Sequence, residues 1–408
     1  MCDSPSIDPD VVIVGGGAIG VACALELARR GAEVTLLERG PHVAFGCSQG
    51  NAGLIVPSHS APIANPAALR DGLRWLLKPD SPFYLRPRAS VLPWLARFAL
   101  ASRAARAAAG TAAIRELSDR SLRLHAELAE EGIETGFERR GALSVYETEA
   151  GFRNAAAAAE GDVLDEAEVR KLEPALRGTL VGGVYDRDEA HCEPRGFVEA
   201  VGRAAEDAGA RIRTGVEVRL RPGNRLETSE GDLRPQTVVL AAGVWSGRLA
   251  RTLGVFLPLE GGKGYHVDLE PAGGDPRIPI FLHESRTIAT PLAGRLRLSG
   301  TLELAGLDLS ISERRVEAIR RAANRAFGDY GGRRVLETWA GLRPCTPDGL
   351  PVIGRKDGLV IATGHAMKGL SLAPVTAKLV GELVAGEPPS HDLTPFSPDR
   401  FRPLLRWR

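Results

Sequence analysis

A glycine-rich turn near the start of the chain restricts the possible folds more than any other feature. Val11–Val14 is a short β-branched run that stops at the motif Gly15-x-Gly17-x-x-Gly20, and an Ala/Leu-rich stretch follows. Residues 33–38 then have the composition of a second buried strand. Strand, glycine turn, helix and strand within about 30 residues predict a βαβ unit. In this context the three glycines indicate a pyrophosphate bound at a helix N-terminus.

The second strand ends at Glu38, and this acidic residue limits which nucleotides fit. Glu38 lies 18 residues beyond Gly20, where a carboxylate accepts hydrogen bonds from ribose hydroxyls. Because a carboxylate repels a 2′-phosphate, NADP is not expected. These residues alone do not separate NAD from FAD.

Composition excludes several classes of protein. A chain of 408 residues predicts two or three domains. Its 52 Lys and Arg against 51 Asp and Glu give a net charge of +1, which argues against a nucleic-acid partner. Five scattered cysteines without a CxxC pair predict no disulfide framework and no metal site, and they favour a cytoplasmic location. The first residues lack a signal peptide's basic region, and no apolar run reaches the roughly 18 residues of a membrane span.

The order of predicted elements indicates two interleaved domains. Buried strands are predicted at 237–242 and 358–363, close to helices at 195–208 and 371–385. Between 255 and 301, short strands alternate with Gly/Pro turns, which is typical of an antiparallel sheet. Elements of the βαβ type therefore lie at both ends of the chain, with the antiparallel segment between them.

Four further segments favour FAD over NAD. The loop from Gly46 to Gly53 (GCSQGNAG) can bring amides to a second side of the pyrophosphate and to an isoalloxazine edge. Residues 237–246 combine a strand with a turn of small residues. Two motifs follow near the C-terminus, GLRPCTPDGLP at 341–351 and TGHAMKGLSLAP at 363–374. Together these motifs resemble the D-amino-acid dehydrogenase/glycine oxidase branch of the DAO superfamily. The resemblance covers nearly the whole chain.

The resemblance implies an α/β fold, α+β overall. A Rossmann FAD domain like that of glutathione reductase is interleaved with a mixed, largely antiparallel substrate-binding domain. We assign residues 9–56, 187–254 and 336–390 to the FAD domain. Residues 57–186 and 255–335 form the substrate domain, with a helical insertion at about 67–131.

The resemblance also implies a non-covalent FAD. Sarcosine oxidases attach their flavin through a cysteine at the position of Gly341, and Cys345 lies four residues away. The flavin is expected between residues 48–53 and 364–371, although a solvent-facing role for Lys368 stays open. The implied cofactor-binding residues are Gly15, Gly17, Ala18, Ile19, Gly20, Glu38, Arg39, Ser48, Asn51, Ala52, Gly53, Leu54, Val218, Ala242, Gly243, Trp245, Arg343, Gly364, His365, Lys368, Gly369, Leu370 and Ser371.

Three residues are candidates for the substrate site. In relatives the arginine of the Gly-Leu-Arg-Pro motif holds the substrate carboxylate, and Arg343 is that residue here; the alternative is a structural salt bridge. Tyr265 matches a tyrosine that follows Lys-Gly in relatives, so its hydroxyl is a candidate for the same carboxylate site, or it is a core tyrosine. His59 is the candidate for lining the cavity, although a lone histidine is more often structural.

These features predict an FAD-dependent enzyme that oxidises a D-amino acid, or an amine related to D-proline or hydroxyproline, to the imino acid. The expected step is hydride transfer from Cα to flavin N5, after which the imine hydrolyses to oxo acid and ammonia or cyclises. A glycine/sarcosine-type oxidase and the flavin subunit of a hetero-oligomeric dehydrogenase are the alternatives. An NAD-linked dehydrogenase leaves the loop at 46–53 and both C-terminal motifs unexplained.

Residues 69–106 suggest the electron acceptor. Aromatic residues including Trp75, Trp94, Phe83 and Phe98 alternate with arginines on Pro-bounded helices. Such a segment suits peripheral docking on the anionic inner face of a membrane, where a quinone or its reductase accepts electrons. A quinone is therefore expected in preference to oxygen. The alternative is that the aromatic residues pack over the substrate cavity while the arginines stay solvated.

Overall fold

The computed structural model describes residues 9–75, 82–86, 88–328, 330 and 332–401. Its strands are β1 (Val11–Val14), β2 (Val34–Glu38), β3 (Leu54–Ile55), β4 (Phe83–Leu85), β5 (Ala142–Tyr146), β6 (Asp162–Asp165), β7 (Gly182–Asp186), β8 (Ala190–His191), β9 (Arg211–Thr214), β10 (Val218–Arg221), β11 (Arg225–Thr228), β12 (Gly231–Leu233), β13 (Thr237–Leu240), β14 (Glu260–Leu269), β15 (Ile280–Leu282), β16 (Thr287–Leu292), β17 (Arg295–Leu304), β18 (Val335–Cys345), β19 (Val352–Lys356) and β20 (Leu359–Thr363).

The α-helices are distributed along the whole chain. They are α1 (Ala18–Arg29), α2 (Pro66–Trp75), α3 (Leu92–Ala101), α4 (Ala104–Glu130), α5 (Glu149–Ala156), α6 (Glu166–Leu172), α7 (Pro194–Asp207), α8 (Ser246–Arg251), α9 (Glu313–Phe327) and α10 (Ala373–Ala385). Short 3₁₀ helices include Pro57–His59, Gly243–Trp245 and Ala366–Lys368.

A six-stranded sheet, ordered β19-β20-β13-β1-β2-β9, carries the glycine turn. Its strands are parallel except for β19, which runs antiparallel to β20. Residues alternate between its faces as the strand period requires. Val11 and Ile13 pack with α1, α7 and α10, while Val12 and Val14 face the three-stranded sheet β10–β12. Because both faces are covered, the central strands β1 and β13 are almost wholly apolar.

The second large sheet is mostly antiparallel and follows the order β18-β14-β17-β16-β15-β5-β7-β6. Its only parallel contacts among the described residues are β15 with β5 and β4 with β17. One face packs on α9 through a core that includes Val267, Leu298 and Ile319. The neighbouring strands β18, β14 and β17 present their other face to the loop that follows β2, since Arg297 and His266 contact that loop.

The packing differs from the predicted domain division in three places. Residue 336 was assigned to the FAD domain, but β18 pairs with β14 as far as Cys345, and the chain returns to the six-stranded sheet only at Val352. The helical insertion contains a strand, β4, that docks on β17. The buried face of α4 packs on α10, through Leu117 and Leu124, although we assigned it to the substrate domain. We propose the two-domain division with these changes.

Candidate active site

The glycine turn is shaped by close backbone contacts. Gly15 has φ +114°, and a Cβ atom there would lie 2.6 Å from the carbonyl oxygen of Ala241. A Cβ at Gly20 would lie 1.8 Å from the carbonyl oxygen of Gly15, so glycine is required where α1 crosses β1. The helix begins at Ala18 without a side-chain cap at Gly17. Its first turn therefore presents amides and the positive end of the helix dipole, as an anion site needs.

Glu38 lies directly beside this turn. Its Oε2 accepts a hydrogen bond from the amide of Gly16 (2.6 Å), and its Oε1 accepts one from the amide of Gly40 (2.7 Å). A carboxylate has about four acceptor positions, so two amides leave capacity for ribose hydroxyls. Arg39 stacks on the ring of Trp245, with its guanidinium carbon 3.8 Å from the ring centroid.

Val218, the expected adenine contact, begins β10 at the free edge of the three-stranded sheet. The amide of Ser229 donates to the carbonyl of Glu217, which makes Val218 a non-hydrogen-bonded position of the β10–β11 pair. Its own N–H and C=O groups therefore point away from β11. This orientation suits the backbone contact that we predict.

The loop after β2 is joined to two other segments of the site. The amide of Ala18 donates to Ser48 Oγ (3.0 Å), which links the loop to the start of α1. Asn51 Nδ2 donates to the carbonyl of Met367 (3.3 Å), and Asn51 Oδ1 accepts from the amide of Gly53 (2.8 Å). Leu54 then starts β3, which pairs with β8. The loops predicted to enclose the flavin are thus in direct contact.

The turn after β13 meets the end of β20. Gly243 follows Ala242 with φ +54°, and its carbonyl accepts a hydrogen bond from Thr363 Oγ1 (2.9 Å). Gly364 has φ +77°, and a Cβ there would lie 2.7 Å from Thr346. His365 is buried with its Nε2 3.0 Å from Thr376 Oγ1. Burial lowers the pKa of His365 to about 3, so this histidine is neutral and its ring is engaged inside the core.

The segment before α10 is held from the side of α4. The carbonyl of Ser371 accepts hydrogen bonds from Ser121 Oγ (2.6 Å) and from His125 Nε2 (3.2 Å). Leu370 is buried in the core that α1, α7 and α10 form against the six-stranded sheet, while Gly369 is half-buried. This packing fixes the backbone that we predict against the flavin.

Lys368 does not face solvent, so that alternative is wrong. Its ammonium group donates to the carbonyl oxygen of His59. Burial lowers the pKa of Lys368 to about 8, although the carboxylate of Glu189 acts in the opposite direction. A lysine that is cationic at neutral pH therefore lies between the C-terminal motif and the 3₁₀ turn at Pro57–His59.

Arg343 lies on β18 with its guanidinium over the backbone of Gly264. A Cβ at Gly264 would lie 2.2 Å from Arg343 Nη2, so the glycine makes room for the side chain. Arg343 Nη1 donates to the carbonyl of Thr301 (2.8 Å). Thr301 has φ +66°, which is unusual for a β-branched residue, and it lies at a register shift between β14 and β17.

No acidic partner balances the charge of Arg343 within the described part of the chain. Its guanidinium makes no ion pair there, which excludes the structural salt bridge as an alternative. Burial lowers the pKa of Arg343, while the nearby thiols of Cys345 and Cys47 act in the opposite direction. A half-buried guanidinium without an acidic partner is a site for an anionic ligand.

Tyr265 is not in the same site as Arg343, so that prediction is wrong. Gly264 and Arg343 share one face of the sheet, and the side chain of Tyr265, the next residue on β14, points to the other face. There Tyr265 packs in the α9-facing core, and its hydroxyl donates to Glu303 Oε2 (2.6 Å). The alternative, a core tyrosine, is what the structure has.

His59 is also held within the protein. Its Nε2 lies 3.3 Å from Ser144 Oγ, and its ring centroid lies 4.0 Å from that of Phe281. Burial and the positive charge of Lys368 lower the pKa of His59 to about 3. His59 is therefore neutral and is a poor proton acceptor near pH 7, so any role in the cavity is one of shape and hydrogen bonding.

The comparisons with known proteins agree with this geometry. Residues 10–383 match the DAO family of FAD-dependent oxidoreductases. The chain belongs to this family. It is 34% identical to a D-amino acid dehydrogenase of Paramagnetospirillum magneticum, over 97% of this chain and 99% of that protein. It is 33% identical to a D-amino-acid oxidase of Bradyrhizobium diazoefficiens, over 96% of this chain and 98% of that protein. Glycine oxidase from Geobacillus kaustophilus has a similar structure, with a TM-score of 0.78 and 26% identity. The similarity covers 97% of this chain and 99% of the glycine oxidase chain.

The site of this FAD-dependent oxidoreductase fits its cofactor. The glycine turn leaves no room for side chains where a pyrophosphate approaches α1, since a Cβ at Gly17 would already lie 3.1 Å from Ser48 Oγ. Across the described residues, the amides of Gln49, Gly50 and Ala52 donate to no protein acceptor, so they remain available to a ligand. The predicted non-covalent attachment agrees with Gly341, where a Cβ would lie 1.8 Å from the ring of Trp339. Burial also raises the pKa of the Cys345 thiol to about 12.

Sequence reasoning missed a buried charged group beneath the flavin loop. Arg297 forms a two-pronged ion pair with Asp268, and His266 stacks on Trp339 with ring centroids 5.2 Å apart. The only available signal was the polar alternation of His266 and Asp268 along a strand. The grouping of His266, Asp268 and Glu337 is compatible with a cation site, but Arg297 already binds both oxygens of Asp268.

The helices of the described residues include none with the length and apolar character of a membrane span. Trp94 is buried and donates from Nε1 to the carbonyl of Cys345 (3.2 Å), and Phe98 stacks on it. Phe83 packs in the same cluster. These three aromatic residues therefore do not form the outward-facing surface that was predicted for membrane docking. The side chain of Trp75 and the whole of Lys78 lie outside the described residues.

Proposed function

We propose that this enzyme oxidises a D-amino acid whose carboxylate is bound by Arg343. The observation that carries the proposal is the half-buried guanidinium of Arg343, which has no acidic partner among the described residues. A bidentate arginine–carboxylate pair is the usual solution for such a cation. The names of the relatives, D-amino acid dehydrogenase and D-amino-acid oxidase, support the substrate class.

Bound FAD supplies the two-electron acceptor for the oxidation of the amine to an imine, which water then hydrolyses to oxo acid and ammonia. The residues of the chain bind and orient. The first turn of α1 and Glu38 hold the pyrophosphate and ribose, and the free amides of Gln49, Gly50 and Ala52 face the flavin. Arg343 fixes the substrate carboxylate so that its Cα–H is directed at the flavin. Positioning of this kind accounts for much of the rate.

An anaerobic screen of flavin bleaching tests this proposal. The purified yellow protein is mixed with D-, L- and N-methyl amino acids, and loss of the oxidised flavin absorbance is followed. We expect bleaching by D-amino acids and release of FAD, not FMN, after acid precipitation. Bleaching only by glycine and sarcosine would support the glycine oxidase alternative, which the similarity to the Geobacillus enzyme favours. A flavin inert to every amine would support the partner-dependent subunit.

We further propose that a quinone, reached from a membrane surface, accepts the electrons. The support is an exposed face of α3, where Leu92 and Leu100 have 61% and 49% of their surface accessible. Pro93, Ala96 and Ala99 complete that face, and Arg103 follows the helix. An apolar stripe next to cationic residues suits the anionic inner membrane surface. The location is then cytoplasmic and peripheral.

Two measurements test the acceptor. The substrate-reduced enzyme is mixed with air-saturated buffer or with a quinone analogue, and we expect reoxidation to be faster with the quinone. Flotation with anionic vesicles should weaken in the variant Leu92→Glu/Leu100→Glu. Ala157→Glu, on an exposed segment after α5, is the control. Reoxidation by oxygen at the same rate would contradict the proposal.

A further inference from the structure

The carbonyls of three successive residues in the flavin loop are bound by two side chains of the antiparallel sheet. Arg297 Nη1 donates to the carbonyls of Gln49 (2.8 Å) and Asn51 (2.9 Å). His266 Nδ1 lies 3.3 Å from the carbonyl of Gly50, between them. The loop is thus attached to the sheet through its backbone, so this attachment does not depend on the identity of the loop's side chains.

Arg297 is itself held rigidly. Its Nε donates to Asp268 Oδ1 (2.8 Å) and its Nη2 to Asp268 Oδ2 (2.7 Å), and only 2% of the residue is exposed. The ion pair with Asp268 already compensates the charge of the buried Arg297. The remaining nitrogen extends out of the sheet to the loop, and a cation there binds carbonyls more strongly than a neutral donor does.

His266 makes two contacts that need two protons. Its Nδ1 faces the carbonyl of Gly50, and its Nε2 lies 3.1 Å from Glu337 Oε2. A neutral imidazole carries one N–H, so it can donate to only one of these two oxygens at a time. The charges around this ring are those of Glu337, Asp268 and Arg297, and the ring of Trp339 covers one side.

Turning the loop carbonyls toward the sheet leaves the amides on the other side. The amides of Gln49, Gly50 and Ala52 have no acceptor in the described part of the chain. A Cβ at Gly50 would lie 2.1 Å from the Trp339 ring, so the loop can lie this close to the sheet only because position 50 is glycine. Bound carbonyls polarise their peptide groups, which strengthens the N–H groups as donors.

We propose that Arg297 and His266 are positioning residues that hold residues 48–53 in their cofactor-binding conformation. In this way they set the affinity for FAD and its reduction potential. The proposal rests on our assignment of that loop to the flavin. Donors directed at a flavin stabilise the negative charge that reduction places there, so loosening them lowers the potential.

The test compares Arg297→Met and Arg297→Lys with the wild-type protein. Amide hydrogen exchange of residues 46–53 is measured in the apoprotein, and FAD affinity and midpoint potential are measured by titration. We expect faster exchange in Arg297→Met, FAD binding weaker by about tenfold or more, and a lower potential. Arg297→Lys should lie between the two. His266→Gln, which keeps one donor, should change each quantity less than Arg297→Met does.

Arg333→Met is the matched control. Arg333 forms a similar two-pronged pair with Asp275 (2.6 and 3.0 Å) on the far side of the same domain and does not contact the loop. We expect it to lower thermal stability without changing loop exchange or FAD affinity. If Arg297→Met also leaves loop exchange unchanged, the inference is wrong, while the flavin assignment stands. If exchange rises but FAD affinity and potential do not change, the loop is not the flavin site. If Arg297→Met does not fold, the same outcomes are decided with Arg297→Lys.

Discussion

Two cations on neighbouring strands, Lys263 and Arg343, have opposite surroundings. Lys263 is 1% exposed on the α9-facing side of β14, with Nζ 3.2 Å from Asp308 Oδ2, 3.0 Å from the carbonyl of Ser310 and 3.5 Å from Glu303 Oε2. Arg343, on the other side of the sheet, has only the carbonyl of Thr301 as a partner among the described residues. Desolvating a charge costs free energy unless a partner compensates it. The compensated cation is structural, and the uncompensated one marks where an anionic ligand is expected.

The same contrast separates the two arginines beneath the proposed cofactor. Arg297 is paired with the carboxylate of Asp268 and uses its remaining nitrogen to hold a loop, while Arg343 has no acidic partner among the described residues. The face of the sheet toward the loop therefore combines a preformed support with an open anion site. On the α9-facing side, Lys263 is already paired with Glu303 and Asp308.

The largest effect should come from Arg343→Met. Removing the guanidinium eliminates the partner of the substrate carboxylate, so kcat/KM for D-amino acids should fall by about a hundredfold or more while FAD stays bound. Arg343→Lys should recover only part, because a point charge does not reproduce the two-pronged contact. Steady-state kinetics and the flavin spectrum of each variant provide the measurement.

Lys263→Met is the matched control for this comparison. It removes the buried cation that lies between Glu303 and Asp308, so thermal stability should fall while kcat/KM stays near the wild-type value. Normal turnover by Arg343→Met would show that the carboxylate is bound elsewhere.

A smaller effect is expected from Gly264→Ala. The new Cβ would lie 2.2 Å from Arg343 Nη2, and the end of a flexible side chain can move away at little cost in stability. We therefore expect kcat/KM to fall by roughly tenfold with a small change in melting temperature, since small displacements of a positioning group slow catalysis. Gly273→Ala, in an exposed turn where no atom lies within 4 Å of the new Cβ, should change neither quantity. Equal activity of both variants would show that the position of Arg343 is not critical.

Much of the first domain could be predicted because its signals are local. The buried strands were predicted at 237–242 and 358–363 and are observed at Thr237–Leu240 and Leu359–Thr363. The helix predicted at 195–208 is Pro194–Asp207. Apolar runs bounded by glycine and amphipathic helices are visible in a single sequence. The glycine turn between β1 and α1 belongs to this class.

The faces of β14 could not be predicted in the same way. The segment GGKGYHVD mixes glycine, charged and apolar residues, so it lacks the simple alternation that assigns one face to the core. Whether Tyr265 or His266 faces the loop depends on pairing with β17 and β18, which are distant in sequence. The left-handed Thr301 and the support by Arg297 likewise arise only from tertiary contacts.

Glu189 is a buried acidic residue that is only partly compensated, in contrast to Lys263, and its effect on the stability of the protein should depend on pH. The amide of Ser58 donates to Oε1 (2.7 Å), but Oε2 has no partner within the described residues. Burial raises the pKa of Glu189 from 4.5 to about 7. Between these values the folded protein binds a proton that the unfolded chain has lost, so this group lowers stability as pH rises.

Glu189→Gln should therefore stabilise the protein above pH 7 by about 1–3 kcal/mol and have little effect below pH 4.5. Denaturant unfolding at several pH values measures this difference. Asp188→Asn, at the exposed neighbouring position, is the control and should show no such dependence. A stabilisation of the same size at pH 4 would mean that burial does not hold a proton on Glu189.

The smallest effect on activity should come from Tyr265→Phe, although a tyrosine in this motif suggested a substrate contact. Its hydroxyl donates to Glu303 on the side of the sheet away from Arg343, so its loss removes a donor from a buried carboxylate. We expect stability to fall by about 1–3 kcal/mol, while kcat/KM changes by less than about twofold. Thermal unfolding and kinetics on one preparation separate the two effects. A fall in kcat/KM comparable to that of Gly264→Ala, with unchanged stability, would mean that the two faces of β14 are not independent. The contrast between Lys263 and Arg343 would then no longer identify the ligand site.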